Sequence, residues 1–284
     1  QNAAALEITF GQITFKVNCL CHIVITGADC EVTVNQRPAK HWHLLTLNSD
    51  DIIKLQAPKS GLYTYICVAG GIDTRKFLLS ASELPKQLMQ HFDKKIQINK
   101  GRYKLSNTPT VRKIEANNNH GSSLSLELST GSPIGLNTPP QRYYFDQTST
   151  TPHIVRYIPH QFWHQLTEQT QHNIQEQVYH IQAKSNKMGY RLKSAFSIPC
   201  HKGHLLSTPV TLGTIQVPND GQPIILMKDR QTIGGYPTLG CIIQVDLPRL
   251  AQLAAHQRIK LQPTTIEHAQ AQLSAFYQRF KNEE

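Results

Sequence analysis

The sequence predicts a mainly β protein in two parts, with a few helices outside. Three observations predict it. Short stretches of alternating apolar and polar residues follow one another through the first 130 residues, with no helical period between them. A segment rich in Ser, Thr, Gly and Pro covers residues 129–152 and reads as a linker. Strand patterns then return between Leu205 and Val245, flanked by segments of helical period. The expected division is residues 1–150 for the N-terminal part and 151–284 for the C-terminal part.

In chain order, Leu6–Phe10 and Ile13–Val17 both alternate, and Gly11-Gln12 between them predicts a hairpin. Strands follow at His22–Thr26, Glu31–Val34, His43–Leu47, Asp51–Leu55 and Leu62–Val68. Turn residues such as Gly27-Ala28-Asp29 and Lys59-Ser60-Gly61 separate them. Many short strands without helices between them specify an antiparallel sandwich or barrel. Beyond the linker, Phe162, Leu166, Ile174, Val178 and Ile181 line one face of a helix predicted over 161–182. His160 and His164 sit four apart there, but no third ligand accompanies them, so they read as surface histidines. Strands are predicted at Thr214–Val217, Pro223–Met227 and Cys241–Val245. Asp246 reads as a helix cap with Pro248 in the first turn. Thr264 and Glu267 read as a capping box for a last helix, whose stripe of Ile266, Ala269, Leu273, Phe276, Tyr277 and Phe280 is expected to pack in the core.

The chain carries 29 Lys and Arg against 19 Asp and Glu, a net charge of +10. Each half contributes +5 (16 against 11, then 13 against 8), so no basic tail exists. The densest run, residues 94–113, holds seven bases and no acid; it reads as a solvated loop or edge strand, or as an anion-attracting surface. No zinc-finger spacing, basic heptad or aromatic-rich basic strand accompanies it, which argues against nucleic acid. Six cysteines, at 19, 21, 30, 67, 200 and 241, form no CxxC pair and read as buried structural thiols. No metal site is expected. No apolar run is long enough to span a membrane, and no secretory signal is legible, so a reducing cytoplasm is the expected setting. The chain starts at Gln1 rather than Met, so its natural beginning is expected to be missing.

GxxxxGK[ST], GxGxxG and GxSxG motifs are absent, which removes P-loop, Rossmann and nucleophile-elbow chemistry. Two polar, Gly-containing segments remain, each directly after an apolar strand. One is Val68-Ala69-Gly70-Gly71-Ile72-Asp73; the other is Lys228-Asp229-Arg230-Gln231-Thr232-Ile233-Gly234-Gly235-Tyr236-Pro237. Paired glycines let backbone N–H groups come close to a ligand. An acid, a planar cation and an amide beside such a turn can read a small amide or ureido group. The plain alternative is a tight turn in which Arg230 pairs with Asp229.

These segments resemble those of the allophanate hydrolase subunit 2 family, carboxyltransferase-like proteins that include KipA, the C component of bacterial ATP-dependent 5-oxoprolinase and part of urea carboxylase. Val68–Asp73 is similar to the family's AVAGGID stretch, Ala3–Thr9 to its AALE strand and Thr26–Asp29 to its TGAD turn. Met188–Leu192 resembles RMGYRL, Pro209–Pro223 resembles PVxxGxIQVPxDGxP, and Asp229–Pro237 and Asp246–Ala251 follow in the family's order. The resemblance covers roughly residues 3–258. It departs at Ser80-Ala81-Ser82-Glu83, where the family's SRST carries an Arg, at Ile158–Phe162, where it has GPxxD, and at Lys187, where it has Arg. The family's Gly-rich leading segment has no counterpart.

The resemblance implies two cyclophilin-like β-barrel subdomains paired with a KipI-like protein. It implies the C component of an ATP-dependent 5-oxoprolinase, acting with the KipI-like B component and the A component and sharing ATP with its partner to activate the lactam of 5-oxoproline. Asp229, Arg230 and Gln231 would then be catalytic. Gly70, Gly71, Asp73, Gly234, Gly235 and Tyr236 would bind substrate, the first three facing the rest. Two alternatives stand beside it: a biotin-dependent carboxyltransferase for urea or a similar amide, and a non-catalytic regulatory partner of a KipI-like protein.

Overall fold

A computed structural model describes residues 4–18, 20–69, 71, 115–117, 123–124, 151–200 and 206–281. Cys19, Gly70, Asp73, residues 80–83 and 94–113, and most of the expected linker lie outside them. The chain divides into two units, Gln1–Pro139 and Pro140–Glu284.

The first unit is an eight-stranded sheet organised by two long strands, β3 (Cys21–Val34) and β6 (Ile52–Val68). They pair antiparallel from Ile23↔Val68 to Val34↔Ile53. The expected turns at 27–29 and 59–61 do not end strands. Gly27 and Gly61 take φ of 91° and 92°, and the ladder shifts register at Gly27–Asp29, so the strands bend through bulges and continue. The expected N-terminal hairpin is also corrected. β1 (Leu6–Thr9) pairs with the far end of β6 and β2 (Ile13–Lys16) with its near end, one after the other along the same partner. The connection runs tight against β6: a Cβ on Gly11 would lie 2.3 Å from the Gln56 carbonyl oxygen. β4 (Arg37–Ala39) and β5 (Leu44–Leu47) pair with β3, while β7 (Glu115–Asn117) adds to β2 and β8 (Ser123–Leu124) to β7. Phe15, Ile23, Ile25, Val32, Ile53, Leu55 and Ile66 fill the core of this unit.

The second unit is a closed barrel of seven strands. Around the ring run β10 (Tyr179–Ile181), β11 (Gly189–Lys193), β14 (Ile224–Leu226), β13 (Thr214–Gln216), β16 (Thr238–Ile242), β9 (His153–Pro159) and β17 (Arg258–Pro263). β17 lies parallel to β9 and closes the ring; the other pairs are antiparallel. Val155, Tyr157, Tyr179, Leu192, Ile215, Ile225 and Leu261 point into the barrel and are buried. Two short strands, β12 (Thr208–Pro209) and β15 (Ile233–Gly234), pair with each other apart from it. The mainly β class with few helices is thus the class observed.

The helix predicted over 161–182 is two helices and a strand. α1 (Gln161–Gln165) stops at Leu166, and α2 (Glu168–Glu176) begins because the Thr167 hydroxyl accepts the N–H of Thr170. Ile181 belongs to β10, where it faces the core. His160 and His164 are exposed.

Asp246 does not cap α3 (Leu247–Ala251) with its side chain. The carboxylate is fully buried and takes two bonds from the Arg156 guanidinium, 2.6 and 2.9 Å, and one from the Arg156 backbone N–H, 2.9 Å. A buried carboxylate requires such paired donors, and this outweighs a capping bond. In α4 (Ile266–Lys281) the cap sits one residue later than expected: the Thr265 hydroxyl accepts from His268 N–H at 3.2 Å. Thr264 Oγ1 bonds His268 Nδ1 instead. The stripe of α4 is not core either where its side chains are described, from Ile266 to Tyr277. Ile266 and Tyr277 are half exposed, and no described residue of the helix joins the barrel's core.

Among the described cysteines Cys21 and Cys30 are buried, but Cys67 is exposed, against expectation, and Cys200 and Cys241 are half-buried; no two of them form a disulfide. Among the described residues no helix is long and apolar enough to cross a membrane.

Candidate active site

The segment from Lys228 to Pro237 leaves β14 and lies over the outer wall of the barrel. Ile215 points into the core from β13, so its neighbours Thr214 and Gln216 point outward. Both are nevertheless buried. What covers Gln216 is the turn itself: a Cβ on Gly234 would lie 2.3 Å from Gln216 Nε2, so only glycine fits.

Hydrogen bonds tie this cover to three other segments. Asp229 N–H donates to the Lys187 carbonyl at 2.8 Å, and Met227 N–H to that of Met188 at 3.0 Å. Val210 N–H donates to the Thr232 carbonyl, next to the β12–β15 pair. Val217 N–H donates to the Pro237 carbonyl at 2.9 Å. The Lys187–Met188 turn is itself shaped by Asn186, whose side-chain oxygen accepts from Met188 N–H at 2.9 Å. The fold therefore gathers at one place the Met188, Val210, Gln216 and Asp229–Pro237 segments, although about fifty residues separate the first from the last.

Within the cover, Asp229 and Gln231 are exposed and Arg230 is half-buried. Asp229 and Arg230 form no ion pair among the described residues, which removes the plain reading of this turn. Arg230 Nε is buried and meets no acceptor among the described residues. Gln231 Nε2 donates to Gln216 Oε1 at 3.4 Å, while Gln216 Nε2 finds no acceptor among them. Gly234 and Gly235 are half-buried, and Tyr236, Ile233 and Met188 present exposed apolar surface. The site thus offers two donors with no partner among the described residues, a planar cation and a glycine backbone, which is a set suited to oxygen acceptors.

Gly71 belongs to the first unit. Its φ is 76° and its N–H is already engaged by the Val68 carbonyl at 2.8 Å, closing a tight turn at the end of β6. Gly70 and Asp73 lie outside the described residues. A hollow of about 740 Å³ opens elsewhere in the first unit, lined by Arg37, Lys40, His43, Thr46 and Asp51 among others; none of the nominated residues borders it. Among the described residues no group of three His, Cys, Asp or Glu could hold a metal ion.

Sequence reasoning passed over Gln216. The available signal was its place in the Pro209–Pro223 stretch, where it is the Gln of the PVxxGxIQVPxDGxP pattern.

Comparison with known proteins bears on the family and the fold. The family described as "Carboxyltransferase domain, subdomain A and B" matches residues 1–263. The C subunit of the 5-oxoprolinase of Escherichia coli (strain K12) is 29% identical over 276 residues, covering 94% of this chain and 77% of its own. The C subunit of the 5-oxoprolinase of Haemophilus influenzae (strain ATCC 51907 / DSM 11121 / KW20 / Rd) is 27% identical over 269 residues, covering 95% and 78%. Among solved structures, the urea amidolyase of K. lactis superposes with a TM-score of 0.73 at 17% identity; the match takes in 99% of this chain but only 17% of that one.

Proposed function

The chain belongs to the family of carboxyltransferase domains built from subdomains A and B, and from that premise we propose that it is the C component of an ATP-dependent 5-oxoprolinase. The observation that carries this reading is the pair of relatives named as the C subunit of 5-oxoprolinase, alike over more than nine-tenths of the chain. In it, the chain works with a KipI-like B component and an A component, and helps activate the lactam of 5-oxoproline for hydrolysis to glutamate. Negative charge grows on the lactam oxygen as the ring carbonyl is activated. The Arg230 guanidinium and the Gly234–Tyr236 backbone stabilise that charge, and Asp229 and Gln231 orient the amide edge. The chain has no P-loop, so in this reading the partner supplies most of the ATP contact and no step runs through a nucleotide here.

Arg230→Ala should raise the barrier by on the order of 2–4 kcal/mol. The measurement is glutamate release by the complex reconstituted from all three components, with ATP and 5-oxoproline. Unchanged release would remove Arg230 from the chemistry, and no release by the wild-type complex would sink the whole reading.

Membership of a carboxyltransferase family supports a second reading, transfer of a carboxyl group from carboxybiotin to urea or a similar amide. The same donors would then face the ureido oxygen. Binding of free biotin at millimolar concentration separates the two.

A further inference from the structure

Gln216 is the most buried polar side chain of the site, 2% exposed, and its neighbours satisfy only part of it. Oε1 receives one long bond of 3.4 Å from Gln231, and Nε2, with Gly234 pressed against it, has no acceptor among the described residues. A buried donor without a partner destabilises a fold by about 1–3 kcal/mol. Leucine would fill the same volume at no such cost. Arg230 Nε, on the same cover, is in the same condition, and a guanidinium nitrogen only donates.

Two buried donors left unmatched in one site fit a ligand that brings oxygen acceptors. We propose that Gln216 is a substrate-binding residue, its amide donating to a carbonyl or carboxylate oxygen of a small cyclic amide acid when the Gly234–Gly235 turn lifts. This deepens the reading given above and rests on it, because 5-oxoproline carries both acceptors, a ring carbonyl and a carboxylate. The part of the cover over Gln216 lies between its backbone bonds at Thr232 and Pro237. Its β12–β15 pair is only two residues long on each side, and its outer surface at Ile233 is 58% exposed.

The test uses the full-length chain with 5-oxoproline and 2-pyrrolidinone, which lacks the carboxylate, as probes. Affinity is measured by calorimetry and apo stability by thermal melting. Gln216→Leu is expected to bind 5-oxoproline at least tenfold more weakly, yet to melt at the same or a higher temperature without ligand. A purely structural glutamine cannot give that combination. Equal weakening for 2-pyrrolidinone assigns the contact to the ring carbonyl, and weakening confined to 5-oxoproline assigns it to the carboxylate. Unchanged affinity in Gln216→Leu overturns the proposal, as does failure of millimolar probe to stabilise the wild type. Glutamate release by the wild-type complex, run in parallel, reports on the functional reading separately.

Discussion

Asp246 and Gln216 are both buried polar residues of the second unit, and their surroundings differ. Asp246 receives three short bonds from Arg156, and Arg249 stands 3.9 Å away. The Asp246 carboxylate in turn holds the Arg156 guanidinium above its ordinary pKa. Such a pair fixes strand β9 to helix α3 and leaves nothing for a ligand. Gln216, with one long bond, is the opposite case. In the first unit His41 sits 3.7 Å from the buried thiol of Cys30, and burial pushes the His41 pKa below its usual value, against weaker opposing effects from Cys30 and Asp29. The unfolded chain therefore takes up this proton more readily than the folded one. The stability that neutral His41 contributes is complete above about pH 6.5 and is lost as pH falls from there towards the depressed folded value. Chemical unfolding at pH 5 and pH 7.5 should show wild type losing more stability on acidification than His41→Gln. Equal losses would show that His41 is not the group responsible.

At the scale of elements, the glycines of the long strands decide the shape of the first sheet. Gly27 has φ of 91°, and a Cβ there would lie 2.3 Å from the Tyr63 carbonyl oxygen. Gly27→Ala combines backbone strain with a clash against main chain and should destabilise by about 2–4 kcal/mol, read as a shift in urea midpoint. A loss below about 0.5 kcal/mol would mean that the bulge relaxes freely. Here too lies the limit of reading elements from sequence. Period-2 alternation located β1, β2, β3, β5, β6, β13, β14 and part of β16, because a half-buried strand imprints it directly, but it did not reveal β9, β10, β11 or β17 of the barrel. Partners were not legible. Ile13–Lys16 pairs with Ile52–Leu55 rather than with its neighbour β1, and no local pattern encodes that choice. A glycine also reads the same in sequence whether it turns a chain or bends a strand. The helical stripe through 162–181 ran on because Thr167, which stops one helix and starts another, has a side chain compatible with either role. The Asp229–Tyr236 turn was legible from its residues, whereas Gln216 became visible only once the turn was seen folded over β13.

At the scale of the molecule, each unit has a core of its own. The barrel's cluster runs from Val155 to Leu261 and needs no residue of the first sheet to complete it. A fragment of residues 151–284 should therefore fold alone, with a cooperative thermal transition and a near-UV circular dichroism band from buried Tyr157, Trp163 and Tyr179. A fragment lacking both would mean that the barrel depends on the first unit. The ring is joined by β9 and β17, the first and last strands of the unit, whose pairing runs from His153↔Ile259 to Tyr157↔Pro263. Synthesis therefore delivers the two sides of that seam about a hundred residues apart. Until residue 263 has left the ribosome, β9 keeps a bare edge, the most adhesive feature a nascent sheet can have. The seam sets the earliest moment at which this half of the protein is safe from its neighbours.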